Sequence, residues 1–407
     1  MKFKATAARC VISPERIEFH HSAFTSAPWT ANCTGMNHLR IGLMVDTLGG
    51  YGTKILAGIS RYARQQPNWR VAYFDRERGE LAKLVGTFAG DGIICTAVDD
   101  SFAEAAKGRD LPILNVTGRG NHPAFIHVVA DDHACGVMAA TYLLDRGFQN
   151  FGFVKGAASF ATERTRGFVE TIEAAGFSAK VHTAEEGHDA QLRQWIAGLP
   201  RPLALASSGD RHASMANEAC WQLNLRVPEE VAILGIGNHE QLCELSNPTL
   251  SSLEVDMERR GYEAAQLLDR ILAGEPAPER PLLIPPVSVV ERRSTSFFAF
   301  DDLEVAAALR FIRDNAGRTI HVRDVVAATK ISRRSLEGRF TKLIGRSMHD
   351  EIWAAHFDLA TRLLSSSDLR LKEVAERSGF RTASALVNLF QARMGLTPKD
   401  YRIRNRR

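Results

Sequence analysis

The sequence predicts a two-lobed α/β domain followed by an all-α domain that carries two helix-turn-helix units. Three observations predict it. Short apolar runs alternate with longer amphipathic stretches from residue 38 to 294, the pattern of parallel sheets with both faces covered by helices. Beyond residue 300 the strand signals stop and only the helical period remains. Within that helical part a short helix, a turn and a second helix recur about fifty residues apart.

Residues 1–37 show neither period and mix Pro14 and Pro28 with Ser and Thr, so they read as an extension, with Met36 as the expected natural start. The first strand spans 39–45. Further strands are expected at 71–73, 92–95, 113–116, 125–129, 151–154, 203–206 and 231–235, with helices at 53–65, 133–146, 164–175, 211–224 and 257–273. The span 38–294 is long enough for two lobes, and a ligand is expected in the cleft at the C-terminal ends of their strands. After the proline-rich stretch from Pro276 to Pro286 and a last strand at 287–290, residues 295–300 read as a linker. Residues 301–407 then read as helices at roughly 302–315, 321–328, 333–342, 348–365, 371–377 and 382–393.

At 407 residues the chain exceeds one hydrophobic core. Charge divides it in the same place. Residues 301–407 hold 21 Lys and Arg against 13 Asp and Glu, a net +8, while the remainder holds 30 against 34, a net −4. This asymmetry suits a polyanion-binding module joined to a domain with another task. The six cysteines, Cys10, Cys33, Cys95, Cys135, Cys220 and Cys243, form no C-x-x-C pair. They read as small buried residues in a reducing compartment. No apolar run spans a bilayer, and a cytoplasmic protein without membrane contact is expected.

In the helical domain, residues 322–328 make a short amphipathic helix, the turn falls at Lys330-Ile331-Ser332, and Ser332 caps the next helix. Residues 371–377, the turn Ser378-Gly379-Phe380 and a helix from Arg381 repeat the unit. A recognition helix enters the major groove by its N-terminus with polar and basic side chains, and two of them about 34 Å apart reach successive grooves. The contact candidates are Ser332, Arg333, Arg334, Glu337 and Arg339 in the first unit, and Arg381, Thr382, Ser384 and Asn388 in the second. Phe340, Phe380, Phe390 and Tyr401 fall at helical spacing and read as core.

Residues 379–402, GFRTASALVNLFQARMGLTPKDYR, closely resemble the signature of the AraC family of activators, and residues 331–347, ISRRSLEGRFTKLIGRS, resemble that family's first recognition unit. Ala385 and Leu386 stand where the family has an aromatic pair, and Asn388 where a basic residue is common. VVADDHACGVMAATYLLDRGFQNFGFV (128–154), FATERTRGFVETIEAAGF (160–177) and VPEEVAILGIGN (227–238) resemble the sensing domain of LacI-type repressors and periplasmic sugar-binding proteins. The combination is similar to the xylose operon regulators. The resemblance implies a periplasmic-binding-protein-like sensor, an activator that meets RNA polymerase, a homodimer, a double-stranded DNA operator and a small sugar such as xylose. It assigns Arg164 to clamping sugar hydroxyls, and Asp132 and Asp210 to the cleft. Asp132 reads equally well as the N-cap of the helix that follows. Relatives carry an acid where this chain has Gly237, with Asn238, His239 or Glu240 as its substitutes, and a polar contact where it has Gly209. The loop from Asp46 to Gly52 brings Asp46 and Tyr51 against a sugar ring, or its glycines shape a turn.

Enzyme chemistry finds no support. There is no phosphate-cradling Gly-x-x-x-x-Gly-Lys and no Gly-x-Ser-x-Gly elbow. His239-Glu240-Gln241-Leu242-Cys243 begins like a zinc-protease motif and ends in cysteine. No cofactor or metal is expected.

Overall fold

The computed structural model describes residues 38–407 except 48–49, 75–77, 97–99, 119–124, 186–188, 301 and 406–407. The expectation about Met36 and residues 1–37 lies outside the described residues.

The chain runs β1 (Leu39–Met44), α1 (Tyr51–Ala63), β2 (Trp69–Tyr73), α2 (Arg78–Thr87), β3 (Gly92–Cys95), α3 (Asp100–Ala106), β4 (Ile113–Asn115) and β5 (Ile126–Ala130). Next come α4 (Asp132–Leu144), β6 (Asn150–Lys155), α5 (Phe160–Ala174), β7 (Ala179–Thr183), α6 (Asp189–Ala197), β8 (Leu203–Ser207), α7 (Asp210–Gln222), β9 (Val231–Ile236), α8 (Glu240–Leu245) and β10 (Ser251–Val255). Then α9 (Met257–Leu272), β11 (Leu282–Ile284) and β12 (Pro286–Val290) complete the α/β part.

Two six-stranded sheets result, ordered β11-β5-β4-β3-β1-β2 and β12-β10-β9-β8-β6-β7. Pairing is parallel throughout except for β12 against β10. The chain passes between sheets three times, after β5, after β10 and at Pro285 between β11 and β12. The central strands are apolar because both faces are covered; β9 (VAILGI) is buried at every residue. Cys95, Cys135, Cys220 and Cys243 are buried and unpaired.

The sequence reading missed β7, β10, β11 and several short helices. β10 is the instructive case. Its residues Ser251, Ser252 and Glu254 are polar, yet the whole strand is buried. Partners brought from elsewhere satisfy them: Ser251 N–H donates to Ser294 Oγ at 2.9 Å, and the Ser252 hydroxyl donates to Asp210.

The helical part comprises α10 (Leu303–Asp314), α11 (Val322–Ala327), α12 (Arg333–Ile344), α13 (Met348–Ser366), α14 (Leu371–Arg377), α15 (Ala383–Met394) and α16 (Pro398–Asn405). The segment read as a linker is not a free tether. Ser294 and Thr295 are buried, Phe297 and Ala299 pack on the core of the α/β part, and Phe298 and Phe300 pack with the first helical unit. Three phenylalanines in residues 295–300 supply the apolar area that holds this strap down.

Candidate functional site

A cavity of about 580 Å³ lies between the two sheets, within the range of small-molecule sites. Its lining comes from positions just past strand ends: Asp46 after β1, Thr96 after β3, Val116 and Thr117 after β4, Ala157 after β6, Ser208 and Asp210 after β8, Gly237 after β9. α1 adds Tyr51, and the segments that cross between the sheets add Asp132, Val255 and Arg260.

Close helix packing builds the centre of the cleft. α4 and α5 approach backbone to backbone: a Cβ on Gly136 would lie 2.1 Å from the Arg164 carbonyl, and one on Gly167 2.2 Å from that of His133. That approach delivers Arg164 to Asp132, where Nε donates to Oδ1 at 2.7 Å. Arg164 Nη1 donates to the Ser208 carbonyl at 2.7 Å, and the guanidinium lies 4.5 Å from the centre of the Phe160 ring. Burial is the largest influence on Arg164 and opposes its charge, but the ion pair and hydrogen bond with Asp132, together with smaller contributions from Cys135 and Tyr51, leave the guanidinium above its ordinary value. The cap of α4 is Asp131, whose carboxylate accepts from the Ala134 N–H at 2.9 Å. Asp132 is thus not the cap, and its side chain is left to the cleft.

Asp210 is 1% exposed. One oxygen accepts from the His239 N–H at 2.7 Å and the other from the Ser252 hydroxyl. Burial pushes its carboxyl above the usual value. Gly237 sits between Asp210 and Tyr51 with φ +131°; a Cβ there would lie 2.8 Å from Tyr51 Oη and 3.1 Å from Asp210 Oδ2. Tyr51 therefore occupies the space that a side chain at 237 would need. Asp46 and Gly209 also line the cavity.

Asn238 does not, which corrects its place among the cleft candidates. Its Nδ2 donates to Glu254, and its Oδ1 accepts from Arg292 at 3.1 Å. Its carbonyl accepts from Lys54 Nζ at 3.3 Å, and Lys54 pairs with Glu254 at 3.5 Å. A left-handed backbone (φ 48°) turns the side chain into this knot, which ties α1 to the second sheet. His239 is likewise spent, since Nδ1 accepts from the Leu242 N–H as the cap of α8.

The sequence reading missed Arg260, a buried arginine of the lining. A signal existed: the buried stripe of α9 is Met257, Arg260, Gly261, Ala264, Ala265, Leu267 and Leu268, with one charge among apolar and small residues.

The helical part repeats itself at an offset of 50 residues. α12 and α15 each have 12 residues, a Ser or Thr cap (Ser332, Thr382) and a left-handed glycine at the end (Gly345, Gly395). Leu336 with Phe340, and Leu386 with Phe390, face inward. Phe380 is buried, and Tyr401 packs 5.3 Å from Phe390 between ring centres. Arg333, Arg334, Glu337, Arg339, Arg381, Thr382, Ser384 and Asn388 lie on exposed faces. Within that set, Arg333 pairs with Glu337 at 2.8 Å and Arg339 reaches Asp302, the cap of α10, at 3.4 Å. The Ser332 and Thr382 hydroxyls accept from the N–H groups of Ser335 and Ala385.

A polar chain joins the two parts. Arg146, just past the end of α4 and 1% exposed, donates to Glu291 at 2.6 Å and to the Thr295 carbonyl at 3.2 Å. Arg313 of α10 lies 4.0 Å from Glu291 and 3.3 Å from Glu351 of α13, which also holds Arg346 at 2.5 Å. One helix, α4, thus begins in the cleft at Asp132 and ends in an ion network anchored in the helical part.

A two-lobed α/β sensor with a buried polar cleft, joined to tandem helix-turn-helix units on a basic domain, defines a ligand-controlled DNA-binding transcription regulator. Residues 140–295 match the periplasmic binding protein-like domain family and residues 325–404 the helix-turn-helix domain family. The xylose operon regulatory protein of Escherichia coli (strain K12) is 30% identical over 379 residues, covering 89% of this chain and 96% of that one. Its counterpart in Haemophilus influenzae (strain ATCC 51907 / DSM 11121 / KW20 / Rd) is 28% identical over 90% of this chain and 98% of that one. The structure of a xylose-binding transcription activator, xylR, superposes with a TM-score of 0.57 at 29% identity, over 91% of this chain and 99% of that one. The chain belongs to the family of xylose operon regulatory proteins. No helix among the described residues is long and apolar enough to cross a membrane.

Proposed function

We propose that the cleft binds a small sugar-class ligand and that binding switches a homodimer into the state that activates pentose-utilisation genes, working with RNA polymerase in the cytoplasm and catalysing no reaction. The observation that carries this reading is the set of Arg164, Asp132 and Asp210 around a cavity at the strand ends. Carboxylates and guanidinium groups supply the acceptors and donors that a polyhydroxylated ligand needs once it leaves water. The DNA-contact reading rests on the exposed polar faces of α12 and α15. Coupling is supported by α4, which connects the Asp132–Arg164 pair to the network around Arg146; a ligand shifts the protein only by binding one state better than the other.

The test is a thermal-shift titration of the full chain with D-xylose leading a panel of pentoses, hexoses and their acids. A saturable rise is expected, because ligand that binds only the native state raises stability by mass action. Arg164→Ala is expected to abolish it. A full response in that variant would show that the cleft is not the ligand site.

A further inference from the structure

Arg260 reaches the cleft from the otherwise apolar stripe of α9. A guanidinium that leaves water must find acceptors. Arg260 does not find them in the protein. Among the described residues its hydrogen bonding amounts to one long bond, from Nη1 to the Val116 carbonyl at 3.4 Å, and its Nε is buried without an acceptor. The carboxylates that act on it most strongly each hold another partner by one oxygen, Asp132 Oδ1 bonding Arg164 at 2.7 Å and Asp256 Oδ1 the Arg259 N–H at 3.0 Å as the cap of α9, and neither is hydrogen-bonded to Arg260. Burial holds Arg260 below the ordinary guanidinium value; the Asp132 charge opposes that shift and the Arg164 charge adds to it.

Hydrogen-bond accounting then points to the ligand. Arginine side chains donate and never accept. A neutral sugar brings a hydroxyl donor with every hydroxyl acceptor, and each buried donor needs an acceptor of its own. Asp46, Asp132 and Glu185 stand in the lining beside Asp210 to accept from hydroxyls, whereas Arg260, with its single long bond to the Val116 carbonyl, leaves donors that only a ligand acceptor can meet. A carboxylate only accepts, and it matches guanidinium geometry.

We infer that Arg260 and Arg164 form a seat for a carboxylate, so that the ligand of this cleft is a polyhydroxylated acid of the aldonic or uronic class. The inference rests on the cleft being the sensing site and narrows what it senses.

The experiment is a thermal-shift titration of the full chain with two matched pairs, D-xylonate against D-xylose and D-glucuronate against D-glucose. At least one acid is expected to raise the melting temperature saturably at concentrations where its neutral partner does little. Arg260→Met is expected to weaken binding of that acid by about tenfold or more, and to melt at the same or a higher temperature than the wild type without ligand, because an unpaired buried charge has gone. Arg260→Lys keeps the charge and should retain part of the affinity. A neutral sugar that binds more tightly than its acid, with equal affinity in Arg260→Met, overturns the inference and leaves the sensing reading standing. Silence from all four compounds overturns both. Should Arg260→Met fail to fold, the wild-type preference within each pair decides.

Discussion

Placing an acid at position 237, where the sequence resemblance implies one, is expected to damage this protein. Gly237→Asp meets two costs. Its backbone at φ +131° lies where only glycine is at ease, and side chains forced into such regions cost about 1–3 kcal/mol. The new carboxylate would also stand beside Asp210 Oδ2, which is 3.1 Å from where the Cβ would be. Burial already raises the Asp210 carboxyl, so two carboxylates there would compete for one proton, at about 1.4 kcal/mol for each unit of further shift. The close approach to Tyr51 Oη adds little, since that ring is 39% exposed and can swing away. The sum is about 2–4 kcal/mol of lost stability at pH 7. Urea unfolding of the full chain, followed by circular dichroism, would compare Gly237→Ala, which carries the strain alone, with Gly237→Asp, which carries both. The sign in pH follows from linkage. A carboxyl raised in the folded state favours folding below its unfolded value and loses that contribution as pH rises through its folded value. The gap between the Asp and Ala variants should therefore close as pH falls and open as it rises. A Gly237→Asp protein as stable as the wild type, or a gap that does not change with pH, would refute the argument.

Asp210→Asn removes the carboxyl that burial raises, so its stability relative to the wild type should improve as pH rises through the folded value of Asp210 and then level off, read from urea midpoints across a pH series. Arg381→Ala and Arg333→Ala should each cost about 1–3 kcal/mol of DNA affinity with relaxed preference at one base pair if the guanidinium reads a base; uniform weakening with a shallower salt slope in binding titrations assigns it to phosphate instead. Arg146→Met should leave ligand affinity near the wild-type value and shrink the ligand-dependent change in DNA affinity, because it cuts the link between α4 and Glu291. An unchanged coupling in that variant would rule the network out as the route.

Much of the architecture was legible because it is written locally. β9, VAILGI, is apolar throughout because a strand covered on both faces must be. The tandem helix-turn-helix units announced themselves through caps, turn glycines and inward Leu and Phe pairs at fixed spacing. Arg164, Asp132 and Asp210 come from separate segments that resemblance, not periodicity, drew together, while Asp46 and Tyr51 were read from the glycine-containing loop after β1. What stayed illegible depends on partners far along the chain. β10 does not read as a core strand, because Ser251, Ser252 and Glu254 are acceptable in the interior only once Ser294, Asp210 and Asn238 arrive. Asn238 looked like a ligand group and is a structural knot, and Asp131, not Asp132, proved to be the cap.

By itself, then, the sequence determined the class of each half and their order, since periodicity, capping and charge are properties of neighbouring residues. Tertiary structure alone decided which polar groups are spent and which are open. It showed the Asp210 oxygens occupied, Arg260 short of acceptors and the 295–300 strap packed down by its phenylalanines. The physical reason is that a buried polar atom is satisfied or not by what surrounds it in space, and the chain brings those surroundings from hundreds of residues away.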